Sequence, residues 1–242
     1  MRRIRTLRIL SSAAAIAAAC GMIGGPGLGS AQSTGGWPTF HGDSARDGFT
    51  SVSGPGTSLV ANQWQLPKPT VSSPAVDSAG TAYIGDNDGK VYALSPSNPV
   101  APKWSFATGG PVEDGPTLSP DGKTLYVGSD DGMVYALNTA DGTKRWAVDM
   151  AGQIHGSPLV SSDGGTLFVS NVNGTIKGIQ TSNGSVLWNN AINGAIPGSL
   201  AISPDGSSLY AATAEGYMYA IADSGANAGK PQNPYYLDGA AA

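Results

Sequence analysis

The chain has 242 residues, with 35 glycines, 17 prolines, a single cysteine and a net charge of −4. A lone cysteine excludes a disulfide within the chain and zinc sites built from several thiolates. The densest basic pair is Lys144-Arg145, which excludes a nucleic-acid surface, because such a surface needs concentrated positive charge to displace counterions from phosphates.

Residues 1–31 read as an export signal. Arg2, Arg3, Arg5 and Arg8 come first with no acid among them, Ile9 to Ile23 is apolar or small throughout, and Gly24-Gly25-Pro26 breaks the run. That is the order of a secretory signal peptide, and the run is too short and too well bounded for a membrane span. Gly29-Ser30-Ala31 offers a cleavage point before Gln32; the alternative is lipidation of Cys20, which follows Ala17-Ala18-Ala19. The protein is therefore expected to be secreted or periplasmic, or else lipid-anchored through Cys20. Cleavage after Ala31 removes four arginines and the cysteine, leaving a net charge of −8 and no thiol.

From residue 64 to 222 the chain repeats. Trp104, Trp146 and Trp188 are spaced by 42 residues, and Trp64 lies 40 before Trp104. Each tryptophan ends a unit of the same design. The second unit has Thr117-Leu118, Thr124-Leu125-Tyr126-Val127-Gly128, Met133-Val134-Tyr135-Ala136-Leu137 and Arg145-Trp146, separated by Asp121-Gly122, Asp131-Gly132 and Asp141-Gly142. The runs are short, rich in Val, Leu, Ile and Tyr, and partly alternating; Asp-Gly and Asn-Gly pairs supply the positive φ of tight hairpins. Glycine pairs every ten residues or so leave no room for a 3.6-residue pattern, which excludes a helical repeat. Four antiparallel strands per unit predict an all-β fold, a β-propeller of four-stranded blades with about four blades present, partial or open. The fourth unit lacks a closing tryptophan, and residues 223–242, with Pro231 and Pro234, are expected to form a flexible tail. An unclosed arc exposes blade faces and strand edges, which predicts self-association through them.

The spacing Ala136-x-Asn138-x-x-Asp141-Gly142-x-x-x-Trp146 resembles the tryptophan-docking motif of the PQQ-like (pyrroloquinoline quinone repeat) β-propeller family. The third unit carries Gly178-x-Gln180-x-x-Asn183-Gly184-x-x-x-Trp188, and the first keeps Ala93 and Trp104 around an Asn98-Pro99 turn. The resemblance implies that Trp64, Trp104, Trp146 and Trp188 pack on small residues of neighbouring blades, with Ala136, Gly142 and Gly184 among them. Ahead of the repeats, Trp37-Pro38-x-Phe40-x-Gly42-Asp43-x-x-Arg46-x-Gly48 is similar to the opening of exported members of the family. It implies that residues 32–63 hold a signature segment, built on Trp37, Phe40, Gly42, Arg46 and Gly48, and a strand that helps close the ring. Members usually have six to eight blades, so the chain reads as a fragment, a half-ring that dimerises, or a small ring closed alone.

Two functions follow from the resemblance. One is an exported, non-enzymatic scaffold that binds a protein, a peptide or a surface glycan, similar to the propeller lipoproteins that assist outer-membrane-protein assembly. The alternative is a fragment of a PQQ-dependent dehydrogenase, which would hold the quinone over the propeller axis with a calcium or lanthanide ion, a catalytic aspartate and commonly a vicinal disulfide. With no cysteine pair and no assembled Glu/Asn/Asp set, no catalytic, cofactor or metal residue is assigned, and PQQ belongs only to that alternative. Asp86-Asn87-Asp88-Gly89 reads as a hairpin turn, since a calcium loop carries a longer oxygen series. His155 is expected at the channel mouth, solvated or hydrogen-bonded. Its neighbours Asp114 and Ser157 lack the nucleophile elbow a hydrolytic triad would need. His41 is expected to pack or cap, and the sequons at Asn173 and Asn183 fall in turns the fold already requires.

Overall fold

The computed structural model describes residues 63–98, 100–222, 228–230 and 235–236. The signal segment with Cys20, the signature residues Trp37, Phe40, Gly42, Arg46 and Gly48, and His41 lie outside these.

Each repeat becomes one antiparallel sheet, because its strands are joined by hairpins too short to pair any other way. The first holds β1 (Ala75–Val76), β2 (Ala82–Asp86), β3 (Lys90–Leu94) and β4 (Trp104–Ala107) in that order. The second holds β5 (Thr117–Leu118), β6 (Thr124–Gly128), β7 (Met133–Asn138) and β8 (Lys144–Asp149). The third holds β9 (Leu159–Val160), β10 (Thr166–Ser170), β11 (Thr175–Gln180) and β12 (Val186–Ala191). In the fourth, β13 (Ala201–Ile202), β14 (Ser208–Ala212) and β15 (Tyr217–Ala222) are joined by β16 (Tyr235–Tyr236). Among the described residues there is no helix long and apolar enough to cross a membrane.

Within the stretch expected as a tail, Tyr235 and Tyr236 pair with Met218 and Tyr217 as the last strand of the fourth sheet. Strand β15 would otherwise present an open ladder edge.

Strand alternation places the core between sheets. From the second sheet, Leu118, Leu125, Val127 and Leu137 face Val91, Ala93 and Trp104 of the first, together with Val112 from the connection between them. Its other face sends Tyr126, Val134, Ala136 and Trp146 against Leu167, Val169 and Ile179 of the third. Leu159, Phe168 and Ile176 then meet Leu209, Ala211 and Ile221 of the fourth. These three apolar seams, each about one side chain thick, hold the blades together.

A repeated row crosses the blades: Tyr83 opposite Ala93 opposite Trp104, Tyr126 opposite Ala136 opposite Trp146, and Phe168 opposite Gly178 opposite Trp188. The small central residue lets the flanking rings meet across it, with centroids 5.8, 5.8 and 6.0 Å apart. In the fourth sheet Tyr210 stands opposite Ala220 at the same station. There Tyr210 is 36% exposed, more than Tyr126 at 2% or Phe168 at 0%.

Candidate functional site

The tryptophans bind one blade to the next. The Trp104 indole N–H donates to the Thr139 carbonyl at 2.9 Å, and the Trp146 indole donates to the Thr181 carbonyl at 2.9 Å. Trp64, ahead of the first blade and less buried, donates to the Asn98 carbonyl at 3.3 Å. A Cβ on Gly142 would lie 2.7 Å from Trp104, one on Gly184 2.9 Å from Trp146, and one on Gly229 2.6 Å from Trp188. Gly142 and Trp146 are neighbours in one sequence motif but serve different seams. The glycine receives the indole from the blade before, and the tryptophan docks on the blade after. Ala136 stands opposite Trp146 inside its own sheet.

The loops that lead into the first strand of each blade meet in a polar belt. The Ser72 hydroxyl donates to the Asp114 carbonyl at 3.0 Å, and the Ser157 N–H donates to the Ser199 hydroxyl oxygen at 3.0 Å. Ser199 in turn donates to the Asp114 carboxylate at 3.2 Å, across two blades. Asp114 is thus engaged with Ser199, and His155 takes other partners.

Those partners are Glu113 and Asp130. Glu113 precedes β5, Asp130 sits in the β6–β7 turn, and His155 precedes β9. The His155 Nε2 lies 3.2 Å from Asp130 Oδ1 and 3.9 Å from Glu113 Oε2. All three are partly buried, and their donor atoms fall within 4.8 Å of one another. Burial holds the Asp130 carboxyl above the usual carboxylate range; the His155 charge opposes this and the Glu113 charge adds to it. Glu113 and Asp130 escaped sequence reasoning. Asp130 looks like turn chemistry, but Glu113 and His155 occupy the same station in successive repeats, and that was the available signal.

The four residues Asp86 to Gly89 close the β2–β3 hairpin, with the Asp88 N–H donating to Asp86 Oδ1 at 3.0 Å. Lys90 and the Tyr92 hydroxyl both reach Asp88 Oδ2, at 3.0 and 3.2 Å. Asp86 is fully buried. Burial raises its carboxyl above the ordinary value and the neighbouring Asp88 adds to the rise. A raised folded value means that the stability Asp86 lends in its protonated form is present at low pH and lost as pH climbs through that value. Asn171 fills the same station in the third blade and accepts from the N–H groups of Asn173 and Thr175 at 3.0 and 2.9 Å. Asp86→Asn is therefore expected to stabilise at pH 7 by about 1 kcal/mol, roughly 2–4 °C in Tm, and to give no gain at pH 4. Equal gains at both pH values would show that the charge is not the cause.

The family described as outer membrane protein assembly factor BamB matches residues 101–228, more than half of the chain. Among solved structures, BamB from Moraxella catarrhalis superposes with a TM-score of 0.58 at 22% identity, over 67% of this chain and 49% of that one. A quinohemoprotein alcohol dehydrogenase from Comamonas testosteroni gives 0.67 at 15% identity, over 86% and 42%. The quinohemoprotein alcohol dehydrogenase ADHIIG from Pseudomonas putida HK5 gives 0.67 at 14% identity, over 86% and 41%. At these identities the likeness is one of fold, and the chain spans half or less of each of those proteins. In sequence, no curated protein matches it.

Proposed function

Because the chain belongs to the family of the outer membrane protein assembly factor BamB, we propose that it is an exported, non-enzymatic propeller module that binds an extended segment of a protein partner in the cell envelope. The observation that carries this reading is the outer edge of the third blade. Strand β12 ends its sheet, so one side of its backbone has no strand partner among the described residues. Its first two residues are apolar and open, Val186 at 45% and Leu187 at 54% exposure. An unpaired ladder flanked by exposed aliphatic side chains suits an incoming strand, whose main chain supplies affinity and whose side chains supply register. The signal-like residues 1–31 support export, with lipidation at Cys20 as the alternative to cleavage after Ala31; the mass of the matured N-terminus distinguishes them.

The quinoprotein reading rests on likeness of fold alone, at 14–15% identity to two quinohemoprotein alcohol dehydrogenases.

A photo-crosslinking residue placed at Leu187 of the full chain in cells tests the proposal. Discrete adducts with an envelope protein, at least tenfold weaker in a Val186→Ser, Asn189→Pro variant that keeps its Tm, are the expected result. A reaction only with a second copy of the chain, only with glycan, or with nothing would overturn it. So would dye-linked alcohol oxidation by the chain supplied with quinone and calcium.

A further inference from the structure

We propose that Glu113, Asp130 and His155 form a binding site for a divalent transition-metal ion of the zinc class, placed across the seam between the second and third blades. The site stands independently of the partner reading above.

The donor set is one imidazole nitrogen and two carboxylates, which together neutralise a divalent ion. Imidazole favours zinc-class metals over magnesium and calcium. Ligand bonds of about 2.1 Å in tetrahedral geometry put donor atoms about 3.4 Å apart. The observed His155–Asp130 and His155–Glu113 separations of 3.2 and 3.9 Å bracket that edge, and no pair in the cluster exceeds 4.8 Å. Three protein ligands leave a fourth position open to water or to a group brought by a partner.

A second observation points the same way. Asp130 Oδ1 and His155 Nε2 are both shielded from solvent and face each other at 3.2 Å. Glu113 is the third charged group that reaches His155, so an ion placed between them would meet donor atoms already turned toward one point.

The scaffold does not need these groups. At the station shared by Glu113 and His155, the other blades carry Val71 and Pro197; at the Asp130 station they carry Asn87, Val172 and Ala214. Among the described residues, this seam holds the one group of three His, Asp or Glu side chains with donor atoms this close together. The backbone around them is tied in advance. The Asp130 N–H donates to the Pro111 carbonyl at 2.9 Å, the Ile154 N–H to the Ser129 carbonyl at 3.3 Å, and the Ser129 hydroxyl to the Gly110 carbonyl at 2.9 Å. All three loops are therefore held to one another before any ion arrives, which lowers the ordering cost of binding.

Calorimetric titration of the metal-free full chain with Zn²⁺ tests the proposal, with Co²⁺ absorption as a second readout. The expected result is one equivalent bound per chain, a tetrahedral-type Co²⁺ spectrum, and a Tm that rises with metal. His155→Gln and Asp130→Asn should each weaken binding at least tenfold and abolish the spectrum. Glu113→Gln, at a more exposed position, serves as the variant least able to disturb the fold. His41→Gln should leave binding unchanged. Absence of a one-equivalent site, or a site indifferent to His155→Gln and Glu113→Gln, would overturn the assignment and leave the three residues as an ion-paired cluster.

Discussion

Trp146→Ala is expected to destabilise the protein by about 3–5 kcal/mol, the range for removing a large aromatic from a packed interior, or roughly 6–20 °C in Tm for a domain of this size. The indole is only 9% exposed. It fills the seam between the second and third blades beside Tyr126, rests on Gly184 and donates to the Thr181 carbonyl. Its removal opens a cavity that Gly184 cannot fill, and leaves the Thr181 carbonyl without its donor. Both blades should loosen together. Hydrogen exchange should therefore rise in β6 to β8 and in β10 and β11, while β2 and β3 keep their protection. Trp64→Ala, at a half-buried position with a longer indole bond of 3.3 Å, should cost less than half as much. Equal losses for the two variants would show that the seam does not depend on the buried indole.

The second large effect lies in a turn. Gly174 closes the β10–β11 hairpin with φ of +83°, and a Cβ there would lie 2.5 Å from the Ile192 carbonyl oxygen and 2.6 Å from that of Gly194. Ile192 donates its N–H to the Gly174 carbonyl, so that backbone cannot swing away without losing a bond. Gly216 closes the matching turn of the fourth blade with φ of +87°, but nothing lies within 4 Å of its Cβ position. Gly216→Ala should therefore cost only the left-handed conformation, about 1 kcal/mol. Gly174→Ala adds overlap with two fixed carbonyls and should cost about 3 kcal/mol or more. Thermal melts of the two variants make the comparison, and equal shifts would mean that backbone conformation alone sets the price.

The blades could be read from the chain because their causes are local. Alternation of Leu125, Tyr126 and Val127 between two faces, and turns such as Asp131-Gly132, act over a few residues. Strand β16 could not be read that way. Tyr235-Tyr236 is two residues long, sits just after Pro234, and is assigned as a strand through its pairing with β15. The Glu113, Asp130 and His155 cluster was hidden for a related reason. Its members come from three loops of two blades, and only His155 stood out as a residue type.

By itself, then, the sequence determined the repeat, the four-stranded blade and the indole that ends each of the first three units, since hairpin geometry and side-chain alternation are short-range effects. Tertiary structure alone decided which blade each indole meets, sending Trp104 to Gly142 and Trp146 to Gly184. It also decided that a histidine and two acids should share one seam. Contacts between blades depend on how far each twisted sheet turns against the next, and that angle is set by all the side chains packed between them.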